Sequence, residues 1–105
     1  MFELNDMINR TLTGEKIRVS ANGEILKIYL SKDRYREFEV YAGIFFKGKF
    51  YFITHPVLPM QDVEEDEAVV FNLIANNLRP SQFALVEDVD VLTGVFEEYY
   101  KLIDG

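Results

Sequence analysis

Residues 35–57 read YREFEVYAGIFFKGKFYFITHPV and decide the fold, because two strand-like runs meet there at a short corner. The runs, Tyr35 to Phe46 and Lys49 to His55, are rich in the aromatic and β-branched residues that favour strands. Gly48 can adopt the positive φ that the second position of a two-residue hairpin turn needs. The stretch predicts one long β-hairpin. A longer, bulged turn is the alternative, since Lys47 is not the Asn or Asp preferred at the first turn position.

The two-residue turn also predicts which side chains face each other. Ile44 would face Tyr51, and Val40 would face His55. Alternation places one apolar set on one face of the first strand: Phe38, Val40, Ala42, Ile44 and Phe46. The aromatic residues Tyr41, Phe45, Phe50 and Phe52 then share the opposite face. Both faces need cover, which a C-terminal helix could give on one side and an N-terminal helix or a fold-over of the sheet on the other.

A second hairpin is predicted around Asn22-Gly23, the preferred pair for a tight type I′ turn. The strands would be Glu15 to Ala21 and Glu24 to Leu30, with Ile17 facing Ile28 and Val19 facing Leu26. Before them, the spacing of Leu4, Ile8 and Leu12 suggests a short N-terminal helix.

After the long hairpin the chain changes character. Residues 55–67 hold two prolines and then an acidic run, which predicts one long loop. Ala68 to Ala75 is apolar on both faces and predicts a strand inside the sheet. Asn76 to Ser81 reads as a turn, Phe83 to Glu87 as a short strand, and Asp88 to Ile103 as an amphipathic helix that Asp88 or Asp90 can cap. Gly94 inside it suggests a late helix start or a close approach to the sheet.

Together these elements predict an α+β fold. A mostly antiparallel meander sheet of five or six strands carries a C-terminal helix packed on it and a short N-terminal helix, in a single domain of residues 1–105.

Composition and charge exclude several classes of protein. The chain of 105 residues has no cysteine, so disulfide frameworks and thiolate metal sites are excluded. It has no apolar run of membrane-spanning length and no basic, then apolar, N-terminus, so we expect a cytoplasmic protein without membrane contact. The net charge of −7 argues against nucleic acid as the main partner.

The sequence contains no pattern typical of a catalytic, cofactor or metal site. His55 is the single histidine, and no serine or cysteine nucleophile stands in a recognisable context. Asp62 to Glu67 is rich in carboxylates but lacks the spacing and central glycine of a calcium loop, so a solvated loop is the preferred interpretation. We therefore predict no catalytic residue, no cofactor and no metal ligand.

Three functions stay open from the sequence. The leading hypothesis is a non-enzymatic protein-interaction or regulatory module that binds a protein partner or a second copy through Tyr41, Phe45, Phe50, Phe52 and His55 or through the acidic loop. The first alternative is a small-ligand or enzymatic pocket between sheet and helix, around His55, Tyr41 and the acidic loop. The second is an anionic polymer bound by the basic residues of the first half, Lys16, Arg18, Lys27, Lys32, Arg34 and Arg36.

Four stretches carry a family resemblance: residues 51–57, the acidic run 62–67, residues 68–71 and residues 95–102. Their order of aromatic strand, acidic loop, strand and terminal helix resembles the small bacterial cytosolic proteins of the family called domain of unknown function 1292. The resemblance covers about the last two thirds of the chain. It implies a compact β-rich domain without an established activity and gives no site residue.

Overall fold

The strands of this protein close into a barrel in the computed structural model, which describes residues 3–21, 23–75 and 81–104. In these ranges, six antiparallel strands follow each other in chain order and the last pairs with the first. The elements are a 3-10 turn (Leu4–Met7), β1 (Leu12–Arg18), β2 (Glu24–Ser31), β3 (Arg34–Phe46), β4 (Lys49–Pro56), β5 (Val69–Ala75), β6 (Ser81–Leu85) and α1 (Val89–Asp104). The predicted fold class, a meander sheet with a helix packed on it, is therefore wrong, because the sheet closes into a barrel. The antiparallel pairing of strands in chain order agrees with the prediction.

The barrel closes through the first residues of β1. The sequence pattern predicts Leu12, the first of them, to be part of the N-terminal helix. Leu12 pairs with Phe83 of β6, and both side chains lie in the barrel core. The predicted N-terminal helix shrinks to the 3-10 turn, because Ile8 is already extended and Asn9 has a φ of 58°. A left-handed residue cannot continue a right-handed helix. Leu12 is thus free to join the sheet.

The first hairpin is shifted by three residues from the predicted register. Gly14, not Ile17, faces Ile28, and the pairing extends to Val19, whose N–H donates to the Gly23 carbonyl at 3.1 Å. The odd shift turns Ile17 and Val19 to the outer face, whereas Leu26 and Ile28 lie in the barrel core, as their predicted place on the core side requires. Space explains the shift, since Ile28 and Phe83 occupy the volume that a side chain at position 14 would need. Asn22 of the predicted turn lies outside the described residues.

The long hairpin matches the prediction at its turn and departs from it at Tyr41. Lys47 and Gly48 both have positive φ, 50° and 79°, as a two-residue turn of type I′ requires. The predicted pairs hold from the turn back to Ala42. A bulge at Tyr41 then changes the register, so Val40 faces Thr54 and not His55.

That bulge divides the apolar face of β3 between two cores. Phe38 and Val40 point into the barrel, whereas Ala42 and Ile44 point outward beneath α1. The prediction that this alternating set shares one face is wrong, because one extra residue inverts the alternation. The barrel core contains Met7, Leu12, Leu26, Ile28, Phe38, Phe52, Met60, Val69, Phe71 and Phe83. The second core, between α1 and the outer wall, contains Ile44, Tyr51, Ile53, Val70 and Val95.

The helix α1 is anchored as the sequence predicts. The Asp88 carboxylate accepts hydrogen bonds from the N–H groups of Asp90 (2.8 Å) and Val91 (3.3 Å), which caps the first turn. Gly94 allows the close approach, since a Cβ there would lie 2.7 Å from both Cε atoms of Phe46. Most of the turn predicted at Asn76 to Ser81 lies outside the described residues.

The N-terminal segment and the β4–β5 loop, residues 57–68, close one end of the barrel together. Met7 and Met60 reach into the barrel core. Asp62 accepts hydrogen bonds from the N–H groups of Leu4 (3.3 Å) and Asn5 (3.2 Å), and Gln61 N–H donates to the Glu3 carboxylate at 3.1 Å. The loop is thus fixed to the barrel.

Candidate functional site

Tyr41 and His55 form an aromatic pair on the outer wall of the barrel. Tyr41 is the bulge residue of β3, and 53% of its surface is exposed. His55 follows Thr54, which faces inward opposite Val40, so its own side chain points outward. The two rings stack at 6.3 Å between centroids with 23° between their planes. The two rings are therefore neighbours on the outer wall, and much of the tyrosine stays exposed.

The imidazole of His55 also ties the β4–β5 loop to β4. Its Nε2 lies 2.7 Å from the Glu65 carbonyl oxygen, and its Nδ1 lies 3.0 Å from that of Pro56. Carbonyl oxygens only accept, so a neutral ring can donate one of these two bonds and a charged ring can donate both. Both nitrogens face backbone oxygens, so the ring holds the loop through hydrogen bonds. It is poorly placed to take a proton from a substrate.

A pocket of about 360 Å³ opens beside His55, under the β4–β5 loop. Its apolar wall consists of Pro56, Val57, Pro59, Met60 and Val63. The charged side chains that line it, Glu64 and Glu65, are both acidic. Glu39, the cross-strand partner of His55, is exposed on the same outer wall. We call Tyr41, His55 and this pocket the loop site.

The five residues predicted as one interaction surface occupy two separate places. Phe52 is only 6% exposed in the barrel core, and Phe50 packs edge-on against it at 5.1 Å between centroids. Phe45 is 68% exposed near the β3–β4 turn and contacts Phe50, not Tyr41. Of the five, only Tyr41 and His55 belong to the loop site, and His55 is the one that lines the pocket.

Sequence reasoning missed the apolar part of the loop. The two prolines and the acidic run predict an exposed loop around Met60 and Val63. In the structure, Met60 is buried in the barrel core and Val63 packs against it. The signal was present, because a solvated loop rarely carries four large apolar residues within seven positions, here Val57, Leu58, Met60 and Val63.

Two of the five carboxylates of the loop, Asp62 and Glu67, accept hydrogen bonds from backbone N–H groups. Asp62 caps the 3-10 turn, as described above, and the Glu67 side chain accepts a hydrogen bond from the Glu64 N–H at 3.0 Å. Across residues 3–21, 23–75 and 81–104, no group of three or more His, Asp or Glu side chains is arranged to hold a metal ion.

Of the basic residues of the first half, Arg34 and Arg36 line one pocket of about 440 Å³ together with Tyr35. Lys16 pairs with Glu24 at 3.4 Å, and Arg36 approaches Glu3 at 4.0 Å, near the end that the loop closes. Lys27 lies on the outer wall, 4.3 Å from the ring centre of Tyr35. Partial removal from water lowers the pKa of Lys27, but its tyrosine neighbours and Glu15 raise it more, so the pKa is above its ordinary value.

The space between α1 and the barrel, where the sequence suggested a ligand pocket, is occupied by the second core. Ile44, Tyr51 and Val70 of the wall meet Val95 of the helix there. The loop site is instead formed by β4 and the loop that follows it.

Comparison of the chain with protein-family models, curated proteins and solved structures gives no match. The resemblance to domain of unknown function 1292 therefore stays a prediction. In the part of the chain that the structure describes, no helix combines the length and apolar character needed to cross a membrane.

Proposed function

We propose that the protein is a non-enzymatic protein-interaction module and that the loop site is its binding surface. The observation that carries the proposal is the half-exposed Tyr41 ring beside His55, which itself lines an apolar pocket. Binding energy at protein interfaces concentrates in such places, where an aromatic side chain adjoins a pocket that a partner can fill.

The rigidity of the surroundings supports this function. The bulge fixes Tyr41 on β3, and His55 holds the loop through the Glu65 carbonyl. A surface that is already ordered loses little conformational entropy when a partner docks. An enzymatic role of His55 has less support, because both ring nitrogens face carbonyl oxygens.

Photo-crosslinking inside the cells that make the protein tests the proposal. The photoreactive amino acid p-benzoylphenylalanine replaces Tyr41 in one strain and Tyr35 in a control strain; Tyr35 is also an exposed tyrosine of β3. A third strain carries the probe at Phe45, the exposed aromatic residue near the β3–β4 turn. We expect a discrete crosslinked species, to another protein or to a second copy, from position 41 alone.

A second substitution makes the test specific for the pocket. Val63→Ser weakens the apolar wall without adding charge, and we expect it to reduce crosslinking from position 41 severalfold. Equal crosslinking from positions 41 and 35, or crosslinking from position 45 alone, would remove the loop site as the binding surface.

A small apolar ligand is the second candidate function, because the pocket is within the size range of ligand sites, about 300–1,000 Å³. Native mass spectrometry of the purified protein separates the two functions. A bound small molecule that Val63→Ser releases would favour this second candidate.

A further inference from the structure

We infer that the loop site takes a basic peptide segment with one apolar anchor residue, such as leucine or methionine. This inference rests on the proposed function and names the chemistry of the partner. The anchor side chain enters the pocket, and lysine or arginine residues on either side lie over Tyr41 and beside Glu64 and Glu65.

Charge selects a basic partner. Glu64 and Glu65 line the pocket, and Glu39 lies on the wall next to His55. Residues 57–67 contain five carboxylates and no lysine or arginine. An acidic segment would meet like charges on each of these sides, whereas a basic segment would be attracted during its approach and held by short-range pairs.

The pocket wall selects an apolar anchor. Val57, Pro59 and Val63 offer an aliphatic surface, and Met60, which is 5% exposed, lines the pocket from the barrel core. A volume of about 360 Å³ is at the small end of the range for ligand sites, which fits one side chain and its backbone better than a large cofactor.

The free face of Tyr41 offers a place for one cation. The Tyr41 ring lies beside His55, and 53% of the tyrosine surface is exposed. Lysine and arginine bind above such rings by cation–π attraction. The same chain already makes this contact elsewhere, where the Lys27 ammonium group lies 4.3 Å from the ring centre of Tyr35.

An NMR titration of the isotope-labelled full chain tests the inference. The probe is a ten-residue peptide with a central leucine between two pairs of lysines. We expect saturable shifts of the Val57, Met60 and Val63 methyl groups and of the His55 ring, with an affinity that falls as salt is added. Replacing the leucine by serine should weaken binding about tenfold or more, because the buried apolar surface is lost.

Two further peptides and one pair of protein variants complete the test. A peptide with glutamates in place of the lysines should not bind. The double variant Glu64→Lys, Glu65→Lys should weaken binding of the lysine peptide severalfold. The control variant Glu97→Lys, Asp104→Lys makes an equal charge change on exposed positions of α1 and should leave this binding unchanged. Far-ultraviolet circular dichroism verifies that both variants are folded.

Several results would overturn the inference. They are equal binding of the lysine and glutamate peptides, equal binding of the leucine and serine peptides, shifts confined to the wall around Lys27, or no shift at millimolar peptide. The proposed function fails separately. If position 41 crosslinks to a partner through a segment that is acidic or lacks an apolar residue, the interaction surface stands and only the partner chemistry is wrong.

Discussion

Substitution of Gly14 by alanine tests the closed barrel through one methyl group. In an open sheet, β1 would be an edge strand without the Phe83 contact, so an alanine at position 14 would meet only Lys27 and Ile28 of β2 and would cost less. The alanine also lowers the entropy of the unfolded chain, which stabilises the fold by about 0.4–1 kcal/mol in either case. In the barrel, Gly14 pairs with Ile28 on one side and Ser81 on the other. Its missing side chain leaves room for the neighbours.

The clash is tight on three sides. A Cβ at position 14 would lie 2.7 Å from the Lys27 carbonyl oxygen, 2.9 Å from Ile28 Cδ1 and 3.0 Å from Phe83 Cδ2. The carbonyl oxygen is a ladder atom and cannot turn away as a side chain could. Overpacking of this kind costs about 1–3 kcal/mol. We expect a net loss of about 1–2 kcal/mol after the entropic gain is subtracted.

Urea unfolding followed by circular dichroism measures the free energy of unfolding, with Thr13→Ala as the control. Thr13 is the exposed neighbour in the same strand, so its substitution should change stability by about 0.5 kcal/mol or less. Repeating Gly14→Ala in a Phe83→Leu background should reduce its cost, since β6 supplies one side of the clash. A stabilising Gly14→Ala, or an identical effect in both backgrounds, would refute the packing of β6 against β1.

Two more substitutions test the base of the loop site. Thr54→Val should lower the free energy of unfolding by about 1 kcal/mol, because the buried hydroxyl donates a hydrogen bond to the Val69 carbonyl at 2.8 Å. An unchanged urea midpoint would contradict this expectation. Asp62→Ala should cost about 1 kcal/mol and speed amide hydrogen exchange in residues 57–67, because the carboxylate caps the 3-10 turn. Asp66→Ala makes the same charge change in the same loop, and equal acceleration by both variants would show that the cap does not hold the loop.

The parts of the fold that local chemistry fixes could be predicted from the sequence. Lys47-Gly48 specified a two-residue turn and the register back to Ala42. The sequence offers Asp88 or Asp90 as the cap of α1, and a late helix start or a close approach as the reason for Gly94. The structure shows the Asp88 cap and the close approach. Each of these depends on neighbours in the chain or on a single packing contact.

Closure and the bulge could not be predicted, because both depend on partners far away in the sequence. Nothing near Tyr41 marks an extra residue, yet it alone decides whether Ala42 faces the barrel core or the helix. The register of β1 is set by Phe83, almost seventy residues later, which fills the space above Gly14. The burial of Met60 depends on the closed barrel in the same way, although the neighbouring Val57, Leu58 and Val63 already indicated a loop that is not fully solvated.

Barrel closure and the loop site are tested most directly by one NOE spectrum of the labelled protein. Closure predicts backbone NOEs between Thr13 and Gln82, which pair across β1 and β6, and the loop site predicts ring-to-ring NOEs between Tyr41 and His55. Cross-strand NOEs from β1 to β2 alone, with rapidly exchanging amides along the other side of residues 12–14, would show an open sheet. That result would contradict the barrel, and missing ring-to-ring NOEs would contradict the placement of Tyr41 beside His55.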